Sequence, residues 1–249
     1  MPPPNLLTTP SLTLTPESLT RSSFAPFGTA IIPPLPRTTT RAPDLAAHPT
    51  DPLVPQPVLA NQSSALKYSP ISPLLDNYAD CESKKKSEAR MSMFSCFPRK
   101  LRTATEEGTG TTKKALFDVT ILERHPYTTQ TFSPLGLSPD EATKFLVIVA
   151  PTLYNQTLPA TLESGEKVSI SNPPDLSKLR AFVATGDMAV TYAAGTWHAP
   201  MVVVGGERKV DFVVTQFVNG AAEEDCQEVT FKEGVVVDLS GSQGERAKL

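Results

Sequence analysis

Two short stretches of this 249-residue chain carry side chains able to move protons or hold a metal: "LERHPYTTQ", from Leu122 to Gln130, and "GTWHAP", from Gly195 to Pro200. The second contains the only tryptophan and one of the three histidines. Imidazole takes up and releases protons near neutral pH and, when neutral, binds metals. In an extended chain side chains alternate, so Glu123 and His125 share a face with Arg124 opposite, and Trp197 lies opposite His198. Pro126 ends the first ladder, which makes Gln130 return from a turn. The two histidines are far apart in sequence and meet only if the fold brings their strands together. A blander reading stands beside this one. His125 could be a strand-end surface histidine, Trp197 a core plug, and Glu123 a surface partner of Arg124 or Lys114 contributing ~0–1 kcal/mol.

The elements available to position these residues read as strands. Apolar, β-branched and aromatic runs occur at 92–97, 115–123, 144–150, 179–184, 188–193, 201–204, 210–217 and 234–239, separated by turn residues. Their lengths predict an all-β, antiparallel barrel or sandwich. "VVVGGERKVDFVV" predicts a hairpin, because two apolar runs flank a glycine-led loop. Helix starts are expected only at Thr15-Pro16-Glu17 and at "SPDEATKFL".

Of the 25 prolines, 14 fall in the first 60 residues, where they oppose both helix interiors and central strands. Residues 1–12 therefore read as a disordered Pro-rich tail and 241–249 as a flexible C-terminus. A single domain is expected over 13–240, with insertions near 33–57, 80–90, 103–114 and 155–174. Each insertion is polar or proline-rich with little to bury. His48 lies in the first of them and reads as solvent-exposed, and Lys84-Lys85-Lys86 as a solubilising loop.

Lys and Arg total 23 against 26 Asp and Glu, a net charge of −3, which excludes a broad electrostatic surface for nucleic acid or anionic membrane. No run reaches the ~20 apolar residues of a membrane span. Three well-separated cysteines, Cys81, Cys96 and Cys226, argue against a disulfide framework or structural zinc. With no secretory signal read at the N-terminus, the expected compartment is the cytoplasm.

"LERHPYTTQTFSPLG", "PPDLSKLRAFVATGDMAVTYAAGTWHAPMVVVGGERKVDFVV" and "PESLTRSSFAPFG" together resemble the ureidoglycolate lyase family, and "LANQSSALKY" fits a further shared segment. The resemblance implies a cupin-like barrel or jelly roll with short flanking helices, acting as a homodimer. It implies cleavage of (S)-ureidoglycolate to glyoxylate and urea in allantoin breakdown, with a divalent metal, nickel included, associated with the family. On that resemblance His125 and His198 are the candidate base or metal ligands, Glu123 a further catalytic group, and Gln130 a further ligand. Lys67 is the candidate for the substrate carboxylate, with Asn61 and Tyr68 at the same mouth and Arg99 and Trp197 as further substrate contacts. The apolar run "KFLVIVA", taken as an outer strand, offers a reason to dimerise.

One departure bears on substrate. Relatives commonly carry an arginine in the strand before a proline, where this chain has Ser95; Arg99, just beyond Pro98, is the nearest arginine. Two other classes compete with the lyase: a different metal-dependent cupin enzyme acting on a small acid, and a non-catalytic acid-binding barrel. General metal cupins more often carry a second histidine two residues after the first, and here that position is Tyr127.

Overall fold

A computed structural model describes residues 2–47, 50–105, 113–206 and 208–241. The strand Lys144–Ala150 explains the architecture, because nearly every one of its residues is buried, on both faces. Leu146, Ile148 and Ala150 enter one core with Phe117, Trp197, Val235 and Val237. Phe145, Val147 and Val149 enter another with Phe132, Tyr192, Phe212 and Val214. A strand apolar on both faces must lie in a middle layer. Its ten-stranded sheet is accordingly sandwiched between a five-stranded sheet, built on Gln130–Leu135, Ala189–Tyr192 and Val210–Val218, and a four-stranded sheet built on Lys113–Asp118 and Val235–Asp238. "KFLVIVA" is therefore no outer strand; a cluster of large exposed apolar side chains sits instead on and just beyond the edge strand Glu88–Cys96, at Met91, Met93, Phe94 and Phe97.

The protein is all-β and cupin-like, with two four-residue helices, Arg21–Phe24 and Ala222–Asp225, among the described residues. The sheets pack face to face without closing into a barrel. Most pairings are antiparallel, but three short N-terminal strands differ: Asn5–Leu6, Leu12–Leu14 and Glu17–Ser18 each pair in parallel with a later strand. The segment read as a tail thus supplies ladder to two sheets, and Leu6 is buried in the core. Prolines flank these strands without interrupting them, which is where proline is tolerated.

Other local expectations also shift. Glu17–Ser18 form a strand, with Glu17 paired to Arg180, and the helix begins only after Thr20, which caps it. At 138–142 the chain makes a turn, not a helix. The expected hairpin does not form: Val202–Val204 pairs with Lys144–Ala150, whereas Val210–Val218 joins the other sheet. Gly205, at φ +77°, and Gly206, where a Cβ would strike the Thr143 side chain, let the chain cross between layers. The polar stretch 155–174 contains the paired strands Thr157–Thr161 and Lys167–Ser171, whose Leu158, Val168 and Ile170 pack on the core. His48, much of 103–114, and residues 242–249 lie outside the described residues.

Candidate active site

The strand Ile121–Arg124 ends one residue before His125, and Trp197–His198 lies beside it in antiparallel register with Glu123 opposite His198. Directly opposed residues project to the same face. Gly195, at φ +81°, donates its N–H to the His125 carbonyl at 2.8 Å, tying the two histidine segments together. The His125 and His198 rings come to 5.5 Å between centroids. Ligand atoms of Glu123, His125 and His198 all lie within 4.8 Å of one another.

Each imidazole is held from one side only. His125 Nδ1 donates to the Asp225 carbonyl at 2.6 Å and His198 Nδ1 to the Thr196 carbonyl at 3.1 Å. Those bonds set the tautomer and leave Nε2 as the lone-pair nitrogen in both rings. His198 is 1% exposed and stacks on Tyr192, with centroids 3.9 Å and planes 11° apart. Both Nε2 atoms are buried without a hydrogen bond, and so is Oε1 of Gln130, whose amide N–H donates to Gln216 at 2.6 Å. An unmet buried polar atom costs about 1–3 kcal/mol. The two imidazole nitrogens, side by side, mark groups kept free for a ligand.

His198 Nε2 stands 3.4 Å from the Glu123 carboxylate, within ion-pair distance for a protonated ring but long for a hydrogen bond. Burial pushes the Glu123 carboxyl up, but His198 and His125 outweigh it and hold the group below the ordinary carboxylate value. Burial, reinforced by repulsion from His198, pushes His125 below the ordinary imidazole value and keeps it neutral. The cluster therefore pairs an ionised carboxylate with a neutral imidazole, a combination suited to proton transfer or to binding a divalent cation.

The other sequence candidates sit elsewhere. Trp197 faces the opposite core, 1% exposed, donates from Nε1 to the Asn172 carbonyl at 3.1 Å, and lies under the Arg124 guanidinium at 5.0 Å. Asn61 and Lys67 are exposed on a separate two-stranded hairpin with Tyr68 directly after it, bonded into neither sheet that carries the cluster. The Arg99 guanidinium lies over Phe117, 5.4 Å from its centroid, toward the four-stranded layer. Ser95 bonds Asp211 on the outer face of the five-stranded sheet, because the inward position next to it is taken by Phe94 packing on Phe132. The departure from the arginine pattern thus falls on the side away from the histidines.

Sequence reading missed Tyr192, Gln216, Cys226 and Glu228. Cys226, Glu228 and Glu123 place ligand atoms within 4.8 Å of one another, so Glu123 belongs to two groups at once. The acid-rich run "EEDCQEV" is the only sequence signal for the second group, and nothing in it distinguishes Glu228.

Comparison with known proteins gives one result. The model of the family described as ureidoglycolate lyase matches residues 11–238. The chain is 33% identical over 211 residues to a Schizosaccharomyces pombe protein named ureidoglycolate lyase, covering 85% of this chain and 87% of that one. It is 33% identical over 231 residues to the Saccharomyces cerevisiae protein of that name, covering 90% and 97%. A Burkholderia mallei protein of that name is 38% identical over 98 residues, 39% of this chain and 42% of its own.

Proposed function

The chain belongs to the ureidoglycolate lyase family, and on that premise we propose that it cleaves (S)-ureidoglycolate to glyoxylate and urea in allantoin catabolism. The observation that carries this reading is the pair of buried imidazoles with free Nε2 atoms beside an ionised Glu123. Ureidoglycolate bears a hydroxyl and a ureido nitrogen on one carbon. Removing the hydroxyl proton lets the oxygen form C=O as the C–N bond breaks, and a proton delivered to the departing nitrogen completes urea without adding water. His125, neutral by burial, takes the hydroxyl proton at Nε2. The proton so held on His125 passes to the departing nitrogen, and His198 Nε2, 3.4 Å from the Glu123 carboxylate, is the second proton-transfer group.

The same atoms fit a divalent cation. His125 Nε2, His198 Nε2, a Glu123 oxygen and Gln130 Oε1 would hold it, a nitrogen and oxygen set that suits nickel, manganese or zinc. Such an ion, when bound, polarises the substrate's hydroxyl oxygen. Lys67, exposed and without an ion pair among the described residues, is the anchor for the substrate carboxylate, with Asn61 and Tyr68 beside it; Arg99, stacked over Phe117 toward the four-stranded layer, is left out of the site. One domain carries the activity, the 13–240 expected from sequence extended by the strand Asn5–Leu6. The enzyme works as a cytoplasmic homodimer. In support, its three cysteines are free and the edge strand Glu88–Cys96 leaves Met91 73% and Met93 60% exposed, a surface a second copy would cover. No helix among the described residues is long and apolar enough to cross a membrane.

The test is to incubate chelator-treated protein with ureidoglycolate under anaerobic conditions, with and without Ni²⁺, Mn²⁺ or Zn²⁺, and to follow urea and glyoxylate together. Equal yields of both are expected. Ammonia in place of urea would mean hydrolytic amide chemistry, and no product would overturn the lyase. Dependence on added metal would assign the histidines as ligands; independence would assign them as proton-transfer groups.

A further inference from the structure

The histidines are sealed from solvent, so a substrate must reach them past Glu123, whose side chain keeps 19% exposure. Register shows what stands there. Glu123 opposes His198 on one neighbouring strand and Glu228 on the other. Opposed residues share a face, so His198, Glu123 and Glu228 form a row across three strands spaced ~4.8 Å apart. Glu228 is thus the next group along the row from Glu123, with the Cys226 thiol within 4.8 Å of both.

The acids around this mouth differ in what they already hold. Glu224 accepts from Ser83 and from the Asn219 amide. Asp225 accepts from the Tyr78 hydroxyl and the Asn219 and Gly220 N–H groups. Both are spent on the loop that presents the Asp225 carbonyl to His125. Burial pushes the Cys226 thiol up to about 12, so it adds no charge. The Glu228 carboxylate makes no hydrogen bond or ion pair among the described residues, so its acceptor positions are open. The unmatched Nε2 atoms of His125 and His198, buried at the inner end of the row, independently mark it as a ligand path.

We propose that Glu228 determines specificity in this site, its carboxylate accepting hydrogen bonds from the N–H groups of the substrate's ureido head. The inference rests on the lyase reading. A ureido group is uncharged and rich in N–H donors, which is what the Glu228 carboxylate, without a donor of its own and next to the Glu123 charge, lacks. The carboxylate at the other end of ureidoglycolate is repelled by the same pair. The substrate is therefore oriented with its ureido head at Glu228, its carboxylate away, and the hydroxyl-bearing carbon between, at the histidines.

Steady-state kinetics on the full chain, under whichever metal condition supports activity, tests this with Glu228→Ala and Glu228→Gln. Hydrogen bonds to a charged group support a loss of about tenfold or more, which should fall on KM rather than kcat, with Gln intermediate because it keeps one acceptor oxygen. Product inhibition by glyoxylate, which lacks the ureido head, should not weaken in either variant. An unchanged KM overturns the proposal, and so does a parallel weakening of glyoxylate inhibition, which would mean a general loosening of the site. A wild-type chain that forms no urea overturns the lyase reading and this inference with it; an active wild type with indifferent Glu228 variants overturns the inference alone.

Discussion

His198 lies flat on Tyr192, 3.9 Å between ring centroids, while its Nε2 points at Glu123 across the strand pair. The stack fixes the imidazole plane, the Thr196 carbonyl fixes the tautomer, and the free nitrogen is thereby aimed at the one carboxylate of the cluster with a route to solvent. Neither partner is adjacent to His198 in the chain: Glu123 comes from the neighbouring strand and Tyr192 from the facing five-stranded sheet.

Replacing either imidazole should stop turnover. His125→Ala and His198→Ala are expected to lower kcat by about 10²–10⁴, the range for losing a positioned acid or base, with the far-ultraviolet circular dichroism of the native protein retained. His48→Ala, outside the described residues, should leave the rate unchanged. A fully active His198→Ala protein would defeat the site assignment.

Trp197 separates packing from substrate contact. Its ring fills the core opposite the histidines, so Trp197→Ala should cost about 3–5 kcal/mol of stability in denaturant unfolding. Trp197→Phe keeps most of the volume and loses the bond to the Asn172 carbonyl, about 0.5–1.5 kcal/mol, and should leave KM unaltered. A raised KM in the Phe variant would instead make the indole a substrate contact.

Acid should destabilise the metal-free protein through His125. Its folded-state value lies below the ordinary 6.5, so between the two values the unfolded chain binds more protons and stability rises with pH. Acidification through that window is therefore destabilising. Glu123, also depressed, adds a further loss as pH falls below the ordinary 4.5 through its folded value. Unfolding free energies of wild type and His125→Gln, measured from pH 7 downward, should diverge just below pH 6.5 in slope, with the variant flatter. Identical slopes would mean that His125 is not held neutral.

Metal binding can be read without activity. Titrating Ni²⁺ into chelator-treated protein should raise the melting temperature and reach one ion per chain by calorimetry. Gln130→Ala should bind about 10–100-fold more weakly, as when an oriented ligand or its support is lost. Equal binding by wild type and a His125→Ala, His198→Ala double variant would place any ion elsewhere.

Strand content and the two histidine segments were legible in the residues, because β-branched runs between turn residues and the alternation of side chains are local properties. Alternation alone put Trp197 and His198 on opposite faces, Glu123 with His125, and the structure distributes them in that way. The same local logic read 1–12 and 155–174 as poor in structure, since their few leucines, valines and isoleucines become core only when a distant strand supplies the other wall. It paired the runs around Gly205-Gly206 as a hairpin, since nothing local reveals that the chain changes sheets there. "KFLVIVA" could be recognised as a strand, but its place between two cores depended on layers assembled from both ends of the chain. The site divides along the same line. Residue types nominated His125, His198 and Glu123 as chemistry; cross-strand register, which no spacing encodes, set His198 opposite Glu123 and brought Glu228 to the mouth, and the packing of the facing sheet laid Tyr192 beneath the ring.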